Sequence, residues 1–381
     1  MVHTAHHKFA KYLDSVATSR VNVLTLQNGA NPDDDESRGH IIRKDRICQK
    51  YILEAINQYG EALSKSQKHV FQGLPRLLTL WFDLNALQSD EVIGLNQDKA
   101  NELMVTFMKK IPSISYYSVL SQLVSRIGHK DDDVVNILCA ILKRILIKFP
   151  AQAMWQLGWL RHSIYSDRKK KGEDIFKGAQ KGLQKVGDLR MHDLLEGSKD
   201  LFEFLINLAK YKPKRQDQKS LQIMSWKGKV ELKEFLPPVQ AALTVSRTTM
   251  GPSNNRYAFP RNVPRIRAFS SNVPMMSSKA KPKKLTAFAI PEHSQKAFEQ
   301  SSRYNSNTQS GDIGEMHFLV KQEAKGDLRK DARVQDLNNV INRLFTQSAS
   351  ANKSKKWDHR RLKLRTFAVT CLSEDCGILE W

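Results

Sequence analysis

Apolar residues recur every three or four positions along most of the first 210 residues, which is the spacing of one face of an α-helix. The clearest example runs from Val134 to Phe149, where Lys143 and Lys148 belong to the polar face. Three aspartates precede this segment, where carboxylates favour the positive end of a helix dipole, and Pro150 follows it. The pattern therefore predicts a helix over 134–149.

Further helices are predicted over 41–65, 67–88, 97–110, 115–128, 151–164 and 190–211. Helix pairs that are joined by short breaks and repeat at roughly 35–45 residues are typical of α-solenoids. No sequence repeat is strong enough to name the repeat type from its period. We therefore expect residues 1–211 to form a helical-repeat region.

The chain changes character between residues 212 and 240, where prolines and charged residues interrupt the apolar periodicity. We predict a linker over 212–240 and a second domain over 241–381. In that domain, strands are predicted over 316–321 and 361–370, and apolar residues at helical spacing predict a helix over 331–345. The expected fold class is α+β, with an N-terminal α-solenoid followed by a small antiparallel sheet and one helix packed against it.

The chain is strongly basic, with 61 Lys and Arg against 39 Asp and Glu in 381 residues and a formal net charge of +22. A diffuse positive field favours polyanions such as nucleic acid, although charge alone is weak evidence for that partner. No run approaches the roughly 18–20 apolar residues of a membrane-spanning helix, so no membrane partner is expected. The four cysteines are too few and too scattered for a disulfide framework, so we expect reduced thiols in an intracellular protein.

Two sets of sequence blocks carry a resemblance to one protein family. The first set comprises Leu77–Asp83, Ser121–Ile127 and Gln152–Gln156. The second set comprises Pro282–Leu285, Phe318–Lys321, Gly326–Arg333 and Glu374–Trp381. The first is similar to the C-terminal part of the helical FAT region of the phosphatidylinositol 3-kinase-related protein kinases, and the second resembles the N-terminal lobe of their kinase domain. The resemblance is specifically to the ATR-type DNA-damage checkpoint branch, and it implies a partial PI3/PI4-kinase-like catalytic domain over 241–381 that extends from the N-lobe to the hinge.

The resemblance implies roles for four residues at a nucleotide site. It makes Lys321 the lysine that reaches the nucleotide phosphates and Asp331 an acidic residue of the same site. It makes Trp381 the hinge aromatic against which adenine stacks, and it directs the backbone carbonyl of Glu380 towards the adenine edge. Residues 268–278 lie where the phosphate-covering loop of the family belongs, but they contain no glycine, so their contribution to phosphate binding is expected to be weak.

The segment that follows Lys321 differs from the family pattern, because Gln322–Gly326 is longer than the usual spacer. Glu323 and Asp327 therefore compete with Asp331 for pairing with the lysine. An alternative interpretation is that Asp327, Arg329 and Asp331 only cap the following helix and form ion pairs on its surface.

The resemblance also implies a function for the intact parent protein. It would be a serine/threonine protein kinase that uses ATP with Mg, acts in the nucleus, and phosphorylates protein substrates in the DNA damage and replication checkpoint. A regulatory subunit of the checkpoint complex is an implied partner, and DNA would be met indirectly, through partner proteins.

The catalytic and metal-binding segments of the family are missing from this sequence. Neither an Asp-Arg-His-x-x-Asn segment nor the later metal-binding motif follows the expected hinge at Trp381. We therefore expect a fragment that is truncated before the catalytic loop, with no catalytic or metal-ligating residue, no kinase activity of its own and no tight binding of ATP. The alternatives are a catalytically dead helical scaffold, a basic nucleic-acid-binding module and, with less support, a relative of the lipid kinases.

Overall fold

The structure is a computed structural model that describes residues 2–87, 91–213, 215, 217–245, 259–260, 263–278, 280–290, 314–323, 327–351 and 362–381. Its packing divides the chain into two compact units, of which the first reaches Lys148 and the second begins at Phe149. The segment predicted as a linker, 212–240, lies within the second unit. The division into compact units does not test the predicted domain limits near residues 211 and 241, because a domain defined by sequence and a unit defined by packing need not have the same boundaries.

The first unit consists of helices that pack on one another in succession. They are α1 (Val2–Gln27), α2 (Asp35–Lys44), α3 (Arg46–Lys65), α4 (Val70–Ala86), α5 (Glu91–Lys110), α6 (Ser113–Tyr117), α7 (Leu120–Ser125) and α8 (Asp132–Lys148). Helix α1 packs against α3, α3 packs against α4 and α5, and α5 packs against α8. Trp81, Phe82 and Phe107 are buried among them. The repeat-like helical architecture predicted from the periodicity is confirmed.

Capping side chains set where two of these helices begin. The helix predicted over 134–149 is present as α8, and the Asp131 carboxylate accepts hydrogen bonds from the N–H groups of Asp133 (2.9 Å) and Val134 (3.0 Å). The segment predicted over 41–65 is instead divided at Asp45, whose carboxylate accepts from the N–H of Ile47 and so begins α3. One capping residue interrupts the apolar pattern too briefly for periodicity to detect.

Two histidines form a stacked pair within the first unit. The rings of His7 and His69 lie 4.0 Å apart at an interplanar angle of 4°, and His7 is only 5% exposed. Burial is the main cause that lowers the pKa of His7 from 6.5 to about 4, and the proximity of a second titratable ring, His69, and of the Lys11 ammonium adds to it. Burial also lowers the pKa of His69. Both rings are therefore neutral in the folded unit near neutral pH.

Acid should destabilise this unit. Below pH 6.5 the unfolded chain binds a proton at His7 that the folded unit resists down to about pH 4, so the free energy of unfolding should fall by up to about 3 kcal/mol as the pH falls across that interval. A His7→Gln variant should depend less on pH, whereas a substitution of the exposed His40 should leave the dependence unchanged. Urea unfolding followed by circular dichroism between about pH 7 and pH 4.5 would measure the effect. An identical pH dependence in H7Q and the parent chain would contradict the prediction.

The second unit begins with helices that lead into a sheet. They are α9 (Pro150–Leu157), a 3₁₀ helix (Gly158–His162), α10 (Ser166–Lys185), α11 (Leu189–Lys210), a 3₁₀ turn (Leu232–Glu234), α12 (Gln240–Leu243) and, later in the chain, α13 (Leu328–Ala351). Helix α10 falls outside the predicted helical segments because charged residues and glycines dominate its sequence. Its apolar side chains Ile175, Phe176 and Leu183 are nevertheless buried, and the helix packs against α11.

The predicted small antiparallel sheet is confirmed. Its strands lie in the order β2 (Arg265–Phe269), β4 (Lys283–Ile290), β5 (Gly314–Gln322), β7 (Cys376–Glu380) and β6 (Val369–Cys371), and a separate ribbon pairs β1 (Ser220–Gln222) with β3 (Asn272–Pro274). Helix α11 packs against β5 and β7. Leu285, Phe318 and Val320 are fully buried on that face.

The strand predicted over 361–370 is wrong for most of its length, because regular pairing is confined to Val369–Cys371. Side chains supply the partners that a neighbouring strand would provide. Asn342 of α13 donates to the carbonyl of Leu364 (2.8 Å) and accepts from its N–H (2.7 Å). The Glu380 carboxylate accepts from the N–H of Ala368 (2.9 Å). The alternation of apolar and polar residues does not by itself show which partners these backbone groups find.

The helix predicted over 331–345 is present within α13, and it packs against the sheet beside β6 as expected. Leu328, its first residue, is fully buried. Three of the apolar positions that predicted the helix are nevertheless exposed, since Val334, Leu337 and Leu344 are 54%, 59% and 56% exposed. The apolar spacing therefore predicted the helix but not which of its residues are buried.

Candidate functional site

Lys321 lies near the end of β5, on the face of the sheet that points away from α11. Successive side chains of a strand alternate between faces, and Phe318 and Val320 occupy the buried face, so Lys321 lies on the opposite one. Its ammonium Nζ lies 2.5 Å from Glu323 Oε1 and 3.9 Å from Asp331 Oδ2. The Lys321 side chain is 18% exposed. The structure therefore brings two of the three candidate carboxylates to the lysine.

The third candidate, Asp327, is engaged by a different cation. Its carboxylate accepts hydrogen bonds from the Arg329 guanidinium at 2.7–3.0 Å and from the Arg329 N–H at 3.0 Å. The Arg329 hydrogen bond holds the pKa of Asp327 below its ordinary value. Asp327 thus behaves as the capping residue of the alternative interpretation, while Asp331 faces Lys321.

A glycine lets the start of α13 approach the lysine. Gly377 of β7 lies directly opposite Lys321 in the antiparallel register. A Cβ atom at position 377 would lie 2.8 Å from Leu328 Cδ1 and 3.0 Å from the Thr370 carbonyl, so a side chain there would force Leu328 or the strand to shift. The absence of that atom allows the first turn of α13, which carries Asp331, to reach the sheet beside Lys321.

Trp381 lies at the other end of the same face. Its N–H donates to the carbonyl of His317 (3.0 Å), which precedes Lys321 by four residues along β5. At about 3.4 Å per residue, roughly 13 Å of strand separates the two positions. The Trp381 residue is 58% exposed. ATP spans a comparable distance between its adenine ring and its phosphates, so the spacing suits an extended nucleotide.

The end of β7 is held in place by the Glu380 side chain. Its carboxylate accepts hydrogen bonds from the N–H groups of Gln240 (2.7 Å) and Ala368 (2.9 Å). The Glu380 N–H donates to the Ala368 carbonyl (2.9 Å). These bonds fix the backbone at the position where the resemblance directs the Glu380 carbonyl at adenine.

The segment proposed as the phosphate-covering loop lies at the Lys321 end of the sheet. Its residues 272–274 form β3, and Met275 bridges to Lys283, whose partner across the sheet is Val320. The Ser270 N–H donates to the carbonyl of Thr286 (2.9 Å), so this part of the segment is tied to β4. The absence of glycine leaves its predicted contribution to phosphate binding weak.

Sequence reasoning missed a charged residue that joins the sheet to the helices of the same unit. Glu374, in the turn between β6 and β7, is 9% exposed, and its carboxylate accepts from Ser163 Oγ (2.5 Å), the Ile164 N–H (3.2 Å) and Arg168 Nη1 (3.0 Å). Its partners lie more than 200 positions earlier in the chain. No local spacing could have indicated this contact.

A buried lysine was missed for the same reason. Lys283 is 3% exposed, and its Nζ donates to the carbonyl of Ala209 in α11 (2.7 Å). Burial lowers the pKa of Lys283. Because this ammonium bonds to a helix carbonyl on the buried face, Lys283 is separated from the face that carries Lys321.

Two further kinds of site were searched for in the described ranges. None of the helices there has the length and apolar character needed to cross a bilayer. No group of three or more His, Cys, Asp and Glu side chains in the same ranges is arranged to hold a metal ion. One face of the sheet instead carries a lysine with two carboxylates at one end and an aromatic ring at the other. These groups have the chemistry to hold a phosphorylated nucleotide.

Comparison with known proteins places similar sequences among large kinases. Residues 99–198 match the family described as "Serine/threonine-protein kinase ATR-like, HEAT repeats". The chain is 29% identical over 344 residues to Serine/threonine-protein kinase ATR of Arabidopsis thaliana, which covers 87% of this chain and 12% of the relative. It is 28% identical over 358 residues to Protein kinase rad3 of Schizosaccharomyces pombe, which covers 88% of this chain and 14% of the relative.

Solved structures show a similar fold. The structure described as "FAT and kinase domain of CtTel1" matches with a TM-score of 0.64 at 18% identity, covering 100% of this chain and 25% of that one. "Structure of the open conformation of CtTel1" matches with a TM-score of 0.65 at 17% identity, covering 100% and 14%. The chain spans 12% to 13% of the length of the first curated relatives it matches. The sequence matches show that the chain is similar to part of ATR-type serine/threonine protein kinases.

Proposed function

We propose that this part of an ATR-like serine/threonine protein kinase carries the nucleotide-binding N-lobe together with the helices that support it. The observation that carries the proposal is the placement of Lys321 and Trp381 at opposite ends of one face of the sheet, with Asp331 beside the lysine. A cation for the phosphates and an aromatic surface for the base, separated by roughly the length of a nucleotide, are what ATP recognition requires.

Each of these residues has a defined task in the proposal. The Lys321 ammonium donates hydrogen bonds to phosphate oxygens, and Glu323 and Asp331 hold it in position before the nucleotide arrives. Trp381 stacks on the adenine ring, and the Glu380 carbonyl accepts a hydrogen bond from the adenine edge. Mg²⁺ bound together with the nucleotide would supply positive charge to the phosphates.

The wider role of the parent protein follows from the names of its relatives. ATR and rad3 are named as protein kinases. We propose that the intact parent of this chain phosphorylates protein substrates in the DNA damage and replication checkpoint, in the nucleus, with a regulatory subunit and with DNA contacted through partners. One structural neighbour is described as a "butterfly symmetric dimer" of Tel1 kinase. By analogy with that description, we include a second copy of the parent protein among its proposed partners.

A reactive nucleotide tests the proposed site directly in this chain. An acyl-phosphate derivative of ATP transfers its acyl group to the lysine that lies beside its phosphates. We expect Lys321 to be acylated and an excess of ATP to suppress that reaction, whereas acylation of Lys284 should be insensitive to ATP. Lys284 is the matched control because it lies on the same face, opposite Leu319 in the register. ATP-insensitive acylation at Lys321 would refute the nucleotide site and favour the catalytically dead scaffold.

A further inference from the structure

A tryptophan in the helical part of the second unit is contacted by two arginines from different elements. Trp159, in the 3₁₀ helix Gly158–His162, is 5% exposed. The Arg168 guanidinium lies 5.6 Å from its ring centroid, and the Arg329 guanidinium lies 5.2 Å from it. Arg168 belongs to α10, whereas Arg329 is the second residue of α13. Trp159 is therefore a shared contact of two helices that are distant in sequence.

Hydrogen bonds fix both guanidinium groups at this contact. Arg329 is held by the Asp327 carboxylate through contacts of 2.7–3.0 Å. Arg168 donates to Glu374 at 3.0 Å, and the same carboxylate binds Ser163. Planar guanidinium groups that are anchored by carboxylates have little freedom to leave the ring. The contact therefore ties the start of α13 to the 3₁₀ helix and the start of α10.

The tied end of α13 is the end that carries a residue of the nucleotide site. Asp331 follows Arg329 by two positions and lies 3.9 Å from Lys321. That separation is at the outer limit of an ion pair, so a shift of the first turn by an ångström would break the contact. The position of Arg329 on Trp159 thus bears directly on whether Asp331 reaches the lysine.

We infer that Trp159 and Arg329 are positioning residues, which hold the first turn of α13 so that Asp331 faces Lys321. This inference rests on the proposed function. It means that helices earlier in the chain than the sheet set the position of a residue that pairs with the nucleotide-binding lysine. Displacement of the 3₁₀ helix Gly158–His162 would withdraw Asp331 and leave Lys321 paired with Glu323 alone.

The rate at which Lys321 is acetylated reports this coupling without any nucleotide. The full chain is treated with N-acetoxysuccinimide, and acetylation is followed by mass spectrometry with the exposed Lys330 as internal reference. Asp331→Asn removes the ion pair completely and so calibrates the assay. Its Lys321 acetylation rate should rise about two- to fivefold, as expected for the loss of one exposed ion pair. Arg329→Met and Trp159→Leu should reach the same value, and the double variant D331N/R329M should add nothing further.

Conservative and control variants separate positioning from general damage. Arg329→Lys keeps the charge but loses the planar stack, so it should also raise the rate. Trp159→Phe keeps an aromatic face and should retain the slow rate. Arg333→Met, one turn later on α13, should change nothing. A Lys321 rate in R329M and W159L equal to that of the parent chain, or no rise in D331N, would overturn the inference.

The same reaction distinguishes this inference from the proposed function. Excess ATP should slow acetylation of Lys321 in the parent chain if the lysine binds phosphates. If the Lys321 acetylation rate rises in R329M but ATP does not slow acetylation in the parent chain, the coupling is retained and the nucleotide site is refuted. If ATP slows acetylation of Lys321 in the parent chain but the rate is unchanged in R329M, the nucleotide site is retained and the coupling is refuted.

Discussion

Replacing Lys321 with methionine should reduce phosphoryl transfer about a hundred- to a thousandfold, because methionine fills a similar volume but has no charge to place on the phosphates. The assay needs a complete kinase, so the chain would replace the aligned segment of Schizosaccharomyces pombe Protein kinase rad3, with which it shares 28% identity over 358 residues. The measured quantity is kcat/KM for phosphorylation of a protein substrate, with the Lys321 chimera as reference.

A second lysine on the same face provides the control for this prediction. Lys284→Met removes an equal charge one strand away, opposite Leu319, and should leave kcat/KM within about twofold of the reference. A comparable loss in K284M and K321M would mean that general charge, and not the position of Lys321, supports the reaction. Undiminished activity of K321M would remove the lysine from the proposed site.

Replacing Trp155 with alanine should lower the free energy of unfolding of the second unit by about 4 kcal/mol. Trp155 of α9 is 1% exposed, its ring centroid lies 5.7 Å from that of Phe202, and its Nε1–H donates to the carbonyl of Leu236 (2.9 Å). The substitution therefore opens a cavity and leaves a buried carbonyl without its donor. Urea unfolding followed by circular dichroism would measure the change.

Two further variants resolve the contributions at Trp155. Trp155→Phe keeps most of the ring volume but removes the indole donor, so it should cost about 1–3 kcal/mol. Met224→Ala, at a residue that is 78% exposed in the same unit, should change the free energy of unfolding by less than about 0.5 kcal/mol. A loss in W155A no larger than that in M224A would show that the contact with Leu236 does not hold the unit together.

The helices of the first unit could be predicted from the sequence because burial there is local and periodic. Apolar residues of α8, for example, recur at the helical period and are buried at that period. Helix α10 escaped prediction because charged residues and glycines dominate it, and only its contact with α11 reveals that Ile175 and Phe176 form an adequate apolar face.

The site could be predicted only in part, for a related reason. Lys321 and Asp331 lie close together in sequence, and their blocks resemble a known family, so their proximity could be anticipated. Trp159 and Arg329 come from distant parts of the chain, and neither residue type nor spacing indicates such a pair. The segment 361–370 shows the converse, since its alternating polarity predicted a strand but could not indicate that side chains pair with its backbone groups.

The contact of Glu374 with the start of α10 has a consequence for the biosynthesis of this protein. Tyr165, at the N-cap position of α10, makes no side-chain capping bond. The N–H of Ile164, just before it, donates to Glu374, which lies 210 positions after Ile164. At about 5–20 residues per second, the ribosome needs about 10–40 s to make the intervening chain. For that period Arg168 and the Ile164 N–H lack their Glu374 partner, and Asp167 supplies the carboxylate at the positive end of α10, so the start of this helix stays open to chaperones and proteases until the β6–β7 turn emerges.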